Sequence, residues 1–415
     1  MSTVDFTRQL QMRNRSAERI GQNEGSLVEQ HGVARLDLGI TREAFDSEYF
    51  EKNVLLVRRA LRSHFAWADV DQLLYFTDPS PPYFKLFKGG EVPAEAFATA
   101  TQNGLRLDKA KFYEYLHSGA TVVMNRLERD SLIAHRLCHD VARFCGHTTI
   151  GNGYLTFGGT GTFGKHWDTH DVFAIQLLGK KRWRIYQPSW PLPLSHHSSE
   201  GQQAHCPAQP VLDIELNVGD ALYIPRGWWH ETIPCDGGSF HLSVGAYAPT
   251  VLEFAQWSCR QLEAELSARS GLSATSSSID DETIETLVAK IRGTLSDPGQ
   301  LQAFLRSGDR LPGNGAEAGE FDLHSLAHPT EALPDSTLIS LQGRHPPQFE
   351  GHYLVRGDSM LRLEPLRKAV VHALIEQPLE MSALCGLVAA PRAAIQAAVL
   401  DLAQHDVVGV RRPHM

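Results

Sequence analysis

The chain has 415 residues, 42% of them hydrophobic and 21% charged, as in a soluble globular protein of about two or three domains. Its net charge of −9, from 39 basic and 48 acidic residues, excludes a general electrostatic pull toward nucleic acid. No run approaches the ~20 apolar residues of a membrane span, and the six scattered cysteines form no Cys-x-x-Cys pair, so reduced thiols in the cytoplasm are expected rather than a zinc cage or a disulfide framework.

Residues 1–35 are polar, without an apolar stretch, and read as a weakly ordered segment. Thr41 is placed to cap a short helix through Ala44, Phe45, Tyr49 and Phe50, with Glu43 and Asp46 in its first turn. Asn53 to Arg58 reads as a strand. From Gly119 to Ala248 strand signals become dense: Ala120 to Met124, Tyr154 to Phe157, Val172 to Leu178, Arg182 to Tyr186, Ala221 to Ile224 and Phe240 to Val244, with a helical stretch from Leu132 to Phe144. Short strands punctuated by Gly, Pro and Asp favour an antiparallel sandwich or barrel over a Rossmann-type fold. After Pro249 the pattern turns helical, through Val251 to Leu262 and again from Glu282 to Leu295. Residues 311–345 read as a linker. Helices over Leu366–Ile375, Met381–Val388 and Ala393–Ala403, with a strand from Val407, then suggest a winged-helix-like unit over 346–415.

The chemistry concentrates between Gly151 and Gly245. In His166-Trp-Asp168 two side chains at i and i+2 share one side of an extended chain, offering an imidazole nitrogen and a carboxylate oxygen together. Gly219-Asp220, a strand, a Pro225-Arg-Gly turn and Trp228-Trp-His230 follow, so a third ligand would arrive from a neighbouring strand. Two His and one carboxylate on one face of iron(II) leave three positions open, the facial triad of non-haem iron oxygenases. His170, at i+4 from His166, is a rival or supplementary ligand; His196, His197 and His205 sit in a polar, Pro-rich insertion and read as loop.

On these residues, and on Asn152-Gly-Tyr154-Leu-Thr, Gly164-Lys-His166-Trp-Asp168, Phe173 to Arg184, Gly219 to His230 and His241-Leu-Ser243, the sequence resembles the Jumonji-C cupin family, and within it the ribosomal-oxygenase branch. The resemblance implies an α+β protein: a double-stranded β-helix core over 36–250, a helical dimerisation region over 251–310, and the C-terminal winged-helix-like domain. It implies His166, Asp168 and His230 as iron(II) ligands and catalytic centre, and 2-oxoglutarate as cosubstrate with Lys181 on its distal carboxylate. Ser243 would assist there, Asn152 near its other end, and Tyr154 at the substrate pocket. If Lys181 faces inward, strand alternation sends Trp183 inward and Lys180 and Arg182 outward. The branch's substrate-holding arginine has no clear counterpart in Ala120 to Arg126.

The implied activity is hydroxylation of an amino-acid side chain in a protein, a ribosomal protein among the candidates, by a homodimer. Two rival readings stand beside it. One is a cupin oxygenase acting on a small molecule or a non-ribosomal peptide. The other is a non-catalytic binding or regulatory protein. Between Arg362 and Met415, Arg362, Arg367, Lys368, Arg392, Arg411 and Arg412 are nearly balanced by Glu364, Glu376, Glu380, Asp401 and Asp406, so direct DNA binding is not expected there.

Overall fold

The computed structural model describes residues 35–413 apart from 63–64, 103, 160, 275, 308–318 and 357–358. Apart from Arg35, the expected N-terminal segment lies outside the described residues, as does part of the expected linker.

Local chemistry sets the first helix, α1 (Arg42–Glu48): the Thr41 hydroxyl accepts the Ala44 N–H at 3.2 Å and so satisfies one of the free donors of its first turn. There follow β1 (Leu55–Val57), α2 (Trp67–Phe76), β2 (Phe84–Phe87), β3 (Glu91–Val92), α3 (Lys109–His117) and β4 (Thr121–Met124). Helix α4 (Leu132–Cys145) starts on the Ser131 side-chain cap, ends on left-handed Gly146, and buries Leu137, Cys138, Val141 and Cys145 along one stripe. Then come β5 (Thr148–Phe157), β6 (Asp171–Leu178), β7 (Lys181–Tyr186), β8 (Leu212–Leu216), β9 (Ala221–Ile224), β10 (Trp229–Pro234) and β11 (Gly238–Tyr247).

Eight of these strands form one antiparallel sheet in the order β1-β9-β6-β11-β5-β4-β2-β3, and β8-β7-β10 form a second. Strand β6 shows why the sequence reads as a continuous apolar run there. Phe173 and Ile175 pack with helix residues such as Phe45 and Leu137, while Val172 and Ala174 pack with Trp183, Ile185 and Leu216 of the small sheet. Both of its faces are therefore buried. The result is a cupin fold of mixed helix and sheet, with an interior between the two sheets.

By backbone contacts the chain divides into two units, and their boundaries differ from those expected. One unit takes residues 248–314 and 347–362. It contains α5 (Val251–Arg260), α6 (Asp281–Ser296) and α7 (Pro298–Ser307), with a three-stranded sheet of Gln348–Glu350, Tyr353–Arg356 and Ser359–Arg362. Phe254 and Phe304 pack at 5.1 Å between ring centres to join α5 to α7.

The other unit joins the cupin strands to residues 315–346 and 363–415. The stretch expected as a linker supplies α8 (Leu323–Ala327) and β12 (Leu338–Leu341) to it. After α9 (Pro365–Ala373), β13 (Leu379–Glu380), α10 (Met381–Leu387), α11 (Arg392–Gln404) and β14 (Val408–Arg411), a three-stranded sheet forms in the order β13-β12-β14. Buried Arg411 on β14 pairs with Asp140 of α4 at 2.8 Å and with Glu320 at 3.1 Å, while Glu320 also holds Arg136 of α4 at 2.6 Å. This shared network ties the C-terminal strand to the helix that backs β5. Among the described residues no single helix is long and apolar enough to cross a membrane, and all six cysteines are free.

Candidate metal centre

His166 and Asp168 lie between β5 and β6, on an extended segment that runs beside β10. His166 and His230 exchange both backbone hydrogen bonds, at 3.1 and 2.8 Å, and the Gly227 N–H donates to the Asp168 carbonyl at 2.9 Å. Alternation along this segment turns Trp167 into a cluster with Tyr186 and Trp229, leaving His166 and Asp168 on the opposite side with His230. The turn before β10 is fixed by Gly227, whose φ of +81° and 2.7 Å approach of a would-be Cβ to the Trp190 carbonyl leave no room for another residue. Asp220 secures the turn before β9: it accepts from the Arg59 and Asn217 N–H groups and pairs with Arg58 at 2.6 Å.

The candidate ligand atoms of His166, Asp168 and His230 all lie within 4.8 Å of one another, and Asp168 Oδ2 is 3.5 Å from His230 Nε2. Donors this close can share one ion once the side chains draw together around it. Each imidazole has its Nδ1 beside a backbone carbonyl, Gly164 for His166 and Trp228 for His230, both at 3.1 Å. With the proton held on Nδ1, each Nε2 is left as a lone-pair donor. Burial and the neighbouring His166 lower the His230 imidazole to about 4, so it is neutral at physiological pH. Burial alone would raise the Asp168 carboxyl, but the imidazoles of His230, His170 and His166 outweigh it and hold the group below the usual carboxylate range. Two imidazole nitrogens and a carboxylate oxygen make a donor set that suits a divalent cation.

Deeper in the same cavity, of about 110 Å³, stands Lys181 on β7. It is 2% exposed, its Nζ lies 3.4 Å from His241 Nδ1, and among the described residues no carboxylate pairs with it. Burial lowers its ammonium to about 7, and burial together with the Lys181 charge holds His241 well below the ordinary imidazole range. Trp183 is buried beside Lys181, while Lys180 and Arg182 pair outside with Glu215 and Asp213. A buried cation facing a cavity without a counter-charge is costly unless an anion enters.

Tyr154 and Ser243 line this cavity; Asn152 does not, its side-chain carbonyl instead accepting the N–H of Arg126 at 3.1 Å. Tyr154 stacks on His241 at 4.8 Å. Arg126 occupies a left-handed backbone position and directs its Nε to buried Glu128 at 2.9 Å. His170 stacks on Tyr247 at 4.6 Å, half-buried and outside the three-residue cluster. His196, His197 and His205 lie between β7 and β8, where the His197 ring accepts the Leu194 N–H. Sequence reasoning assigned no role to Thr121 and His241, which also line the cavity; the alternation of His241 with Ser243 was the available signal.

Residues 125–254 match the family described as JmjC domain. The chain is 40% identical over 114 residues to the bifunctional lysine-specific demethylase and histidyl-hydroxylase NO66 of Drosophila persimilis, covering 27% of this chain and 16% of that protein. It is 29% identical over 218 residues to ribosomal oxygenase 1 of Gallus gallus, covering 49% of this chain and 35% of that protein. The chain thus spans well under two thirds of either relative's length. The crystal structure of the Escherichia coli ribosomal oxygenase YcfD superimposes with a TM-score of 0.52 at 15% identity, over 91% of this chain and 100% of that one. A further structure of that protein is in complex with cobalt and 2-oxoglutarate.

Proposed function

We propose that this JmjC-domain chain is an iron(II)- and 2-oxoglutarate-dependent oxygenase that hydroxylates an amino-acid side chain of a protein, a ribosomal protein being the candidate class. The observation that carries the reading is the pairing of two groups in one cavity: the His166–Asp168–His230 donor set and the buried, uncompensated Lys181. The first fits a facial triad with open positions, and the second fits the far carboxylate of a dicarboxylate. Named activities of the curated relatives, hydroxylation among them, support the same class.

Iron(II) bound at the triad supplies the oxidising chemistry, drawing on dioxygen and 2-oxoglutarate. The protein's part is placement. Gly164 and Trp228 carbonyls keep the Nδ1 protons of His166 and His230, so both rings present Nε2 in a fixed direction. Lys181 neutralises and orients the cosubstrate, Ser243 offers a hydroxyl, and Trp183 keeps water from the ammonium. Tyr154 faces the same space and is proposed as a substrate contact; Asn152 is proposed to act through Arg126, whose N–H it holds.

The finer organisation is part of the same proposal. The α6 stripe of Ile284, Val288 and Leu295 is exposed and supports a homodimer contact. The helices and strand of residues 346–415 support a winged-helix-like partner-binding role in a cytoplasmic protein, with no direct reading of DNA. Anaerobic reconstitution with iron(II), followed by succinate release from 2-oxoglutarate with and without ribosomal protein extract, tests the function. Extract-stimulated succinate and the mass gain of one oxygen on a protein are the expected results. Absence of both iron binding and turnover would sink the proposal.

A further inference from the structure

A second set of two imidazoles and a carboxylate lies away from the cavity. His324, His328 and Glu331 follow one another at i, i+4 and i+7, the spacing that keeps side chains on one helical face. Helix α8 itself ends at Ala327, but the backbone continues the curl: the His328 N–H donates to His324 O at 2.8 Å, and the Glu331 N–H donates to His328 O at 3.1 Å across a turn with Pro329 in its second position. The candidate ligand atoms again all lie within 4.8 Å of one another. His324 Nε2 is 3.1 Å from Glu331 Oε2, and the two imidazoles sit 4.6 Å apart, centre to centre. His328 Nδ1 lies 3.2 Å from the His324 carbonyl, which holds the ring proton there and turns Nε2 outward as a donor.

The segment is anchored at both ends. At its start Arg412 reaches the Asp322 carboxylate and the Ser325 hydroxyl; at its end the Gln396 side chain grips Glu331 O at 2.7 Å and Leu333 N at 2.9 Å. The three side chains are thus carried on a short, fixed piece of backbone whose outer face is open to solvent.

We propose that His324, His328 and Glu331 bind a divalent first-row transition ion of the zinc class. Two imidazole nitrogens and one carboxylate oxygen are borderline donors, chosen by such ions over magnesium or calcium. The fourth position is left to water, so the ion is exchangeable. Bound there, it staples the end of α8 to the Pro329 turn. This site is independent of the oxygenase reading, and the two are separable by mutation.

The test is calorimetric titration of the full chain with Zn²⁺, in wild type and in the His328→Gln, Glu331→Gln and His166→Ala variants. Loss of one equivalent in His328→Gln is expected, together with weaker binding in Glu331→Gln and survival of that equivalent in His166→Ala. Unchanged circular-dichroism melting of the metal-free variants shows that folding is intact. If His328→Gln binds as many equivalents as wild type, or if every equivalent disappears with His166→Ala, the proposal is overturned. Should the His166-dependent equivalent alone be missing, the oxygenase reading fails and this one stands.

Discussion

Two clusters in this molecule carry the same donor set, two imidazoles and a carboxylate, and they are built in opposite ways. His166, Asp168 and His230 come from segments more than sixty residues apart, brought together by strand pairing and enclosed between two sheets. His324, His328 and Glu331 come from one helical turn and its continuation, and face solvent. In the first, burial and His166 lower the His230 imidazole, burial fails to raise the Asp168 carboxyl because three imidazoles stand beside it, and the buried Lys181 faces the same cavity. The second cluster is open to water, with His324 half-buried and His328 and Glu331 exposed. The contrast teaches that a donor set selects only a class of ion, the divalent first-row metals, while its enclosure decides whether chemistry can follow.

The largest expected effect breaks the first cluster. His166→Ala or Asp168→Ala should abolish 2-oxoglutarate turnover while the circular-dichroism melt shows a preserved fold; full activity in either would place the metal elsewhere. Next in size is the enclosed charge that supports the same wall. Arg411→Ala takes the arginine from Asp140, while Glu320 keeps its pair with Arg136, and urea unfolding should show a loss of about 3 kcal/mol.

Lys181→Met removes the cation that faces the cavity. The KM for 2-oxoglutarate should rise roughly 10–100-fold, the equivalent of a charge-assisted contact of about 1.5–3 kcal/mol. The same variant sharpens the comparison through pH. Burial lowers the Lys181 ammonium from 10.5 to about 7, so above about pH 7 the unfolded chain holds more protons than the folded one. Stability of the ligand-free wild type should therefore climb as pH rises from about 7 toward about 9, and the climb should be shallower in Lys181→Met. Parallel pH curves for the two proteins would show that the ammonium is not desolvated.

The smallest effect belongs to the exposed cluster. Without metal, Glu331→Gln should change stability by less than about 1 kcal/mol, because its pair with His324 is half open to water. A larger loss would make that pair a structural element in its own right.

Much of this could be read from residues alone. The His166-x-Asp168 spacing already implied a shared face, the Thr41 cap and the Leu132 to Phe144 periodicity already implied helices, and the period of two already implied opposite fates for Lys181 and Arg182. These are short-range matters, set by backbone sterics and by the repeat of apolar side chains. What lay beyond the sequence was every relation between distant segments. The backbone bridge of His166 to His230 depends on how two sheets close over a shared core. So does the use of the Asn152 carbonyl by Arg126, and so does the folding of the expected linker into a strand beside Val408–Arg411. Such pairings are chosen by burial and by loop closure across the whole chain, and no local pattern encodes which of several eligible strands will win. The residues alone gave the donors and the faces that present them; the pairing of sheets chose which donors meet, and left Lys181, beside His241, as a buried cation that pairs with no carboxylate among the described residues.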